Sequence, residues 1–237
     1  MGISPFSGGA ATFTICIMVV FQGQASAVIP GFVPGTVSRF TAAALYYQAS
    51  LGKAAHDTVK FAQQRFAEEG RTSGFAVDIG CGSGRDTLHM LRNGWQVLAT
   101  DKEPMAFDYL SAQVDPSMRS RLSMLAEPME TIVLPTADLI NASLSLPFCR
   151  PQFFDRLWRS VVRSLQPGGR FAGHFFGDKD TWAHEITQTH HTRCAVEKLL
   201  EGLEIEYFQE IEDDDPSIEG EKKHWQIYHV VARKPRI

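Results

Sequence analysis

The 237-residue chain reads as an α/β domain built on a doubly wound, mostly parallel sheet of seven strands that closes with an antiparallel hairpin. Three observations predict this. Between residues 75 and 201, apolar runs of strand length alternate with amphipathic stretches of helix length, the pattern of parallel strands joined by crossover helices. Two final strand-like runs, 203–209 and 224–233, have no helix between them, so they pair as a hairpin at the sheet edge. At 75–92 an apolar run ends in Asp78-Ile79, three glycines follow at Gly80, Gly82 and Gly84, and a helical segment begins at Arg85. That is a strand, a tight turn and a helix.

The elements follow in order. Residues 53–69 form an amphipathic helix, because Val59, Ala62 and Phe66 recur at helical spacing with Lys60, Gln63, Gln64 and Glu68 between them. Gly70 stops it. The spacing then predicts strand 75–79, helix 85–92, strand 95–100, helix 103–113, strands 121–126 and 137–142, helix 151–165, strand 170–176 and helix 192–201. Asn93-Gly94 and Pro167-Gly168-Gly169 mark two helix-to-strand turns. The acidic run 210–215 reads as the solvated loop of the closing hairpin. Residues 28–40, with Pro30, Gly31, Pro34 and Gly35, read as a linker, so the division is an apolar leader and linker over 1–45 and a domain over 46–237.

Composition removes several classes of function. Net charge is −4 and no Lys/Arg-rich run occurs, so charge gives no argument for nucleic acid as a partner. Cys16, Cys81, Cys149 and Cys194 are scattered, without a C-x-x-C pair. This spacing supplies neither a zinc site nor a disulfide framework, and no metal is expected.

The glycine turn admits two cofactors. Dinucleotide enzymes use G-x-G-x-x-G, with the pyrophosphate at the helix N-terminus. Here Arg85 occupies the place of the third glycine of that pattern, and the glycine comes one residue early. S-adenosylmethionine (SAM) carries a sulfonium, an amino-carboxylate tail, a ribose and an adenine but no phosphate, so a glycine turn beside an acidic residue suits it better. Asp78 is placed to order the turn and receive the SAM ammonium, and Arg85 to pair with its carboxylate. Asp101 follows the second strand, where a carboxylate accepts from both ribose hydroxyls. It would serve a dinucleotide equally well. Lys102 follows it, and Pro104-Met105 would lie against the adenine.

Residues 78–84, Asp-Ile-Gly-Cys-Gly-Ser-Gly, resemble the glycine-rich first motif of the class I SAM-dependent methyltransferases, and the strand order with a closing hairpin resembles their Rossmann-like layout. The resemblance runs from about Tyr46 to Lys234. Arg85-Asp86-Thr87-Leu88, Asn93-Gly94-Trp95, Pro167-Gly168-Gly169, Lys223-His224-Trp225 and Ala232-Arg233-Lys234 look like small stand-alone bacterial methyltransferases similar to the tellurite-resistance group. It implies SAM as cofactor, methyl transfer to a small-molecule acceptor, Glu127 at the adenine amino group, and Asn141 beside the methionine moiety. Enzymes that methylate base amino groups often carry [DN]-P-P-[YF] after the fourth strand. This chain has Asn141-Ala142-Ser143-Leu144 there, a departure that argues against that substrate class.

The acceptor side is read from the residues after the fifth strand. Four of the eight histidines fall between His174 and His191. His174, at a strand end, is the first candidate for a base that takes the acceptor's proton. His191 is a second, with Asp180 lining the pocket beside Trp182. Both His190 and His191 also precede Thr192, the expected N-cap of the next helix. The alternative function is a catalytically inactive SAM-binding protein that touches a membrane through the apolar run 10–21. That run precedes Ala25-Ser26-Ala27, which resembles a signal-peptidase site, yet no Lys or Arg precedes it and it is short for a membrane span. Because SAM is made and used in the cytosol, the expectation is a cytoplasmic protein. The sequence leaves its oligomeric state open.

Overall fold

The computed structural model describes residues 39–217 and 220–236. The apolar run 10–21, the Ala25-Ser26-Ala27 triplet and most of the expected linker lie outside the described residues. Helix α1 (Arg39–Ser50) crosses the boundary placed at 45/46. Helix α2 (Asp57–Glu68) begins four residues inside the predicted 53–69 and buries Val59, Ala62 and Phe66.

The strands then follow as β1 (Phe75–Ile79), β2 (Gln96–Asp101), β3 (Leu122–Ala126), β4 (Ala137–Ala142), β5 (Leu165–Gly177), β6 (His190–His191), β7 (Glu204–Asp213) and β8 (Trp225–Arg233). The helices between them are α3 (Arg85–Arg92), α4 (Met105–Ser111), α5 (Pro151–Ser164) and α6 (Arg193–Leu199). The sheet order is β3-β2-β1-β4-β5-β8-β7, with β6 paired to β5. Strands β1 to β5 run parallel, and β8 lies antiparallel to both β5 and β7.

Three elements depart from the sequence reading. A two-residue strand, β6, brings the sheet to eight strands; so short a run carries no alternation for a periodicity to reveal. Strand β5 begins at Leu165, so Pro167-Gly168-Gly169 is a bulge inside it, where the β4–β5 register shifts. The acidic run is not all loop: Glu210–Asp213 belong to β7 and pair with β8 from Tyr228 to Trp225. On a strand with one face toward solvent, carboxylates can project outward while the backbone completes the ladder. Glu210 also accepts from Gln226 Nε2 at 2.6 Å, and Glu212 from Lys179 Nζ at 2.6 Å.

Core packs on both faces of the sheet. Val77, Ile79, Ile140, Phe171 and Phe175 meet Phe154, Leu157, Trp158 and Val161 of α5. Ala76, Leu139, Ala172 and Val231 meet the α2 and α3 side. Side chains two apart along a strand share a face. The second face therefore continues, toward the C-terminal ends of the parallel strands, into Asp78, Asn141 and His174, joined by His229 of β8. Asp78 is in register with Asn141, and His174 with His229. One face thus changes from apolar to polar within a single step along each strand.

At the opposite end of β5, Arg170 is fully buried. Its Nε and Nη2 donate to Glu206 at 2.6 and 2.8 Å, and Nη2 donates to Glu69 at 2.6 Å. Its guanidinium lies 4.4 Å from the Phe66 ring centre. This pins the end of α2 to the sheet and holds the Glu69 carboxyl below the usual range. Removing one partner of a buried ion pair strands the others, at a cost of about 3–5 kcal/mol. Arg170→Ala is expected to lose stability on that scale in urea denaturation, with a lowered midpoint; a loss near zero would show that the carboxylates are rehydrated.

Candidate cofactor site

The strand order reverses between β1 and β4, and ligands of open α/β sheets bind beyond the strand ends at such a point. The glycine turn lies there. Gly80 and Gly84 have φ of +69° and +88°, conformations that side-chain-bearing residues rarely adopt. A Cβ on Gly80 would lie 2.5 Å from Ser145 Cβ, and one on Gly84 2.3 Å from Leu110 Cδ1. The second glycine, Gly82, approaches Tyr46 and Tyr47 of α1, which stand over the turn.

Asp101 anchors the turn. Its Oδ2 accepts from Gly82 N at 2.9 Å, and its Oδ1 from Glu103 N at 3.0 Å and from the Tyr47 hydroxyl at 3.4 Å. Glu127 N donates to the Asp101 carbonyl at 3.0 Å, which draws the end of β3 to the same edge. The Glu127 side chain is half-buried there, and Lys102 is exposed.

Asp78 lies at the floor, almost wholly buried. Thr87 Oγ1 donates to one carboxylate oxygen at 2.5 Å and Asn141 Nδ2 to the other at 2.8 Å. The same Asn141 amide donates to Asp86 at 3.1 Å, so it bridges two buried carboxylates. Burial and the neighbouring Asp86 push Asp78 up to about 7, against the pull of its two hydrogen bonds. Burial acts on Asp86 as well, but the pull of the adjoining His56 and its hydrogen bonds outweighs it and holds Asp86 well below the carboxylate range. Arg85 donates from Nε to the Ala54 carbonyl and from Nη1 to His56 Nε2. Asp78, Gly80, Gly82, Arg85, Asp86 and His56 line one cavity with Tyr46, Ser50 and Ser143.

None of the three residues expected to act on the acceptor lines that cavity. His174 is fully buried and already bonded on both ring nitrogens: Nδ1 accepts from Leu144 N at 3.2 Å, and Nε2 is 3.1 Å from His229 Nδ1. Because Nδ1 accepts a main-chain donor, Nε2 carries the hydrogen and gives it to His229. Asp180 accepts from Trp182 N at 2.9 Å and from Gln226 N at 3.3 Å, and forms a buried ion pair with Lys223. Lys223 lies 3.9 and 4.1 Å from the ring centres of Trp182 and Trp225. His191 packs on Phe154 and Phe175, on the α5 face. Among the described residues no His, Cys, Asp or Glu group is arranged to hold a metal.

Sequence reasoning missed His56 and Asp86. Asp86 directly follows Arg85 in the first motif and carried a legible signal as an acidic residue in the first helical turn. His56 lies thirty positions away in another element, and only folding brings it to the turn.

A methyltransferase domain family matches residues 76–169. Two carboxy-S-adenosyl-L-methionine synthases match over part of their length. That of Yersinia enterocolitica is 28% identical over 97 residues, covering 39% of this chain and 36% of the relative. That of Erwinia tasmaniensis is 24% identical over 111 residues, covering 45% and 44%. The matched part thus spans less than half the length of these curated relatives. Among solved structures, TehB from Haemophilus influenzae superposes with a TM-score of 0.65 at 14% identity, over 80% of this chain and 65% of TehB. The 1,6-didemethyltoxoflavin-N1-methyltransferase of Burkholderia thailandensis, solved with its substrate and S-adenosylhomocysteine, gives 0.56 at 18% identity over 86% and 93%. The chain therefore has the Rossmann-like α/β fold of these solved structures, and residues 76–169 are similar to a methyltransferase domain family.

Burial pushes His191 and His229 down to about 4, and lowers His174 and His190 as well. A histidine neutral in the fold but free to protonate when unfolded gives stability that is complete above about pH 6.5 and is lost as pH falls toward its native value. Asp78, raised to about 7, acts in the opposite sense over this range, one group against these four and His89, which burial also lowers. The thermal midpoint is expected to fall between about pH 6.5 and pH 4, and His229→Gln, whose amide oxygen still accepts from His174, to flatten that fall. An unchanged slope in the variant would place the acid sensitivity elsewhere.

Proposed function

We propose that this chain is a SAM-dependent methyltransferase acting on a small-molecule acceptor. The observation that carries the reading is the pair of buried carboxylates, Asp78 and Asp86, at the glycine turn. A dinucleotide would set its pyrophosphate against this floor, and two carboxylates in a low-dielectric wall repel it. A ligand with an ammonium and a sulfonium meets the opposite field. The shortened glycine spacing and Arg85 support the same choice.

In this reading Asp78 receives the ammonium of the methionine moiety, Arg85 its carboxylate, and Gly80, Gly82 and Gly84 keep the turn close to the ligand. Asp101 exchanges its bond with Tyr47 for the ribose hydroxyls. Glu127 and Lys102 border the adenine end, and Asn141 keeps both carboxylates in place. The cofactor brings the electrophilic methyl group and a neutral thioether leaving group; the protein's part is to bind, orient and exclude water. A small acceptor agrees with the departure from [DN]-P-P-[YF] after β4 and with the 1,6-didemethyltoxoflavin bound by the Burkholderia thailandensis methyltransferase. Cytoplasmic location follows from the cofactor, and no helix among the described residues is long and apolar enough to cross a membrane.

Calorimetry with S-adenosylhomocysteine tests the reading. Micromolar binding is expected, lost in Asp101→Ala and in Gly82→Arg; a folded chain that binds neither this ligand nor SAM overturns it. A second signature follows from Asp78. With its carboxyl raised to about 7, an incoming ammonium lowers it and expels a proton. Binding at pH 7 should therefore release a fraction of a proton, measured from the difference between buffers of unequal ionisation enthalpy. Asp78→Asn should abolish that release.

A further inference from the structure

His56, in the cavity wall, is held at its main chain and at both ring nitrogens. Its main-chain N–H donates to Asp86 Oδ1 at 2.9 Å, and its ring Nδ1 lies 3.1 and 3.0 Å from the two Asp86 oxygens. Across the ring, Nε2 is 2.9 Å from Arg85 Nη1. A guanidinium has only donors, so Nε2 accepts and the ring hydrogen resides on Nδ1, toward Asp86. A carboxylate behind Nδ1 and a lone pair at Nε2 together hold an imidazole in the tautomer and orientation of a general base. Asp86 is itself fixed by Asn141, so the dyad cannot rotate freely.

We propose that His56 is the base of methyl transfer, oriented by Asp86 and capped by Arg85 until the cofactor's carboxylate draws the guanidinium away. The proposal rests on the methyltransferase reading above and deepens it. In the step, the acceptor's X–H proton passes to His56 Nε2 as X bonds to the methyl carbon. The carbon–sulfur bond breaks and its electron pair stays on sulfur, which becomes a neutral thioether. The imidazolium left behind is stabilised by Asp86. The acceptor class is then one with a weakly acidic X–H, such as a phenol, a thiol or a ring N–H, that needs a base near neutral pH. Free amines and thioethers do not need one.

The titratable and charged groups around His56 come from five elements. Asp86 and Arg85 face it from α3, Asp78 from β1, His174 from β5 with ring centres 5.3 Å apart, His229 from β8, and Asp57 adjoins it on α2. Moving Arg85 onto a ligand carboxylate frees the Nε2 lone pair at the moment of binding. The cap thereby couples cofactor binding to base activation.

Two measurements on the full chain decide it. The first is nitrogen-detected NMR of the imidazole rings with and without S-adenosylhomocysteine. His56 should show hydrogen on Nδ1 and none on Nε2, and its Nε2 resonance should move as the ligand displaces Arg85. The second is transfer from methyl-labelled SAM to the small-molecule fraction of a cell extract, across pH. His56→Asn keeps an amide donor for Asp86 but has no base. It should still bind S-adenosylhomocysteine, yet label roughly 10²–10⁴-fold more slowly without the acidic limb of the profile. Added imidazole should restore part of the rate in His56→Ala. An Nε2 that carries hydrogen or ignores the bound ligand overturns the proposal alone, as does His56→Asn with undiminished labelling. A wild-type chain that binds no S-adenosylhomocysteine overturns the methyltransferase reading and this proposal together.

Discussion

Two carboxylates buried at the end of one strand and the start of the next helix constrain everything around them. Asp78 and Asp86 are almost inaccessible to water, and a single amide, Asn141 Nδ2, serves both. Burying such charges costs several kcal/mol unless hydrogen bonds and opposite charge offset it. The surroundings answer that cost. Thr87 supplies a hydroxyl, His56 two donors, and the N-terminal turn of α3 its positive end. The compensation is unequal, so the two groups part: Asp86 keeps its charge and Asp78 is poised to change its own. The proposed preference for a cationic ligand over a phosphate rests on that asymmetry.

The same pair explains the positions of elements distant in the chain. The Ala54–His56 segment is held to the start of α3 by Arg85 and Asp86, which fixes where α2 begins. Asn141 commits the end of β4, and the loop after it brings Ser143 to the cavity and Ser145 under the turn, where its hydroxyl donates to the Ile79 carbonyl at 2.5 Å. Gly80 must lack a side chain because Ser145 occupies that space. Tyr46 and Tyr47 of α1 cover the turn from above, and the Tyr47 hydroxyl donates to Asp101.

Element types were legible because each carries a local period: two for strands and 3.6 for helices. Val59, Ala62 and Phe66 mark α2 without any knowledge of the sheet. The glycine turn was legible for a related reason, since a tight turn between strand and helix leaves few residue choices. Misreadings came where a partner decides. Glu210–Asp213 look like a loop by charge, but β8 supplies the ladder that makes them a strand. His174 ends a strand beside the site, yet its face and its neighbours, Leu144 and His229, bury it and occupy both nitrogens. Asp180 resembles a pocket carboxylate until Lys223, forty-three residues on, closes on it.

The sequence by itself determined the succession of strands and helices, the glycine turn and the carboxylates at the ends of β1 and β2. These depend on side-chain period, backbone permissiveness and neighbours a few residues apart. Only the tertiary structure decided which ionisable groups meet the ligand cavity. Proton affinity and access depend on burial and on charges contributed by other elements, so His56 entered the site and His174, Asp180 and His191 did not.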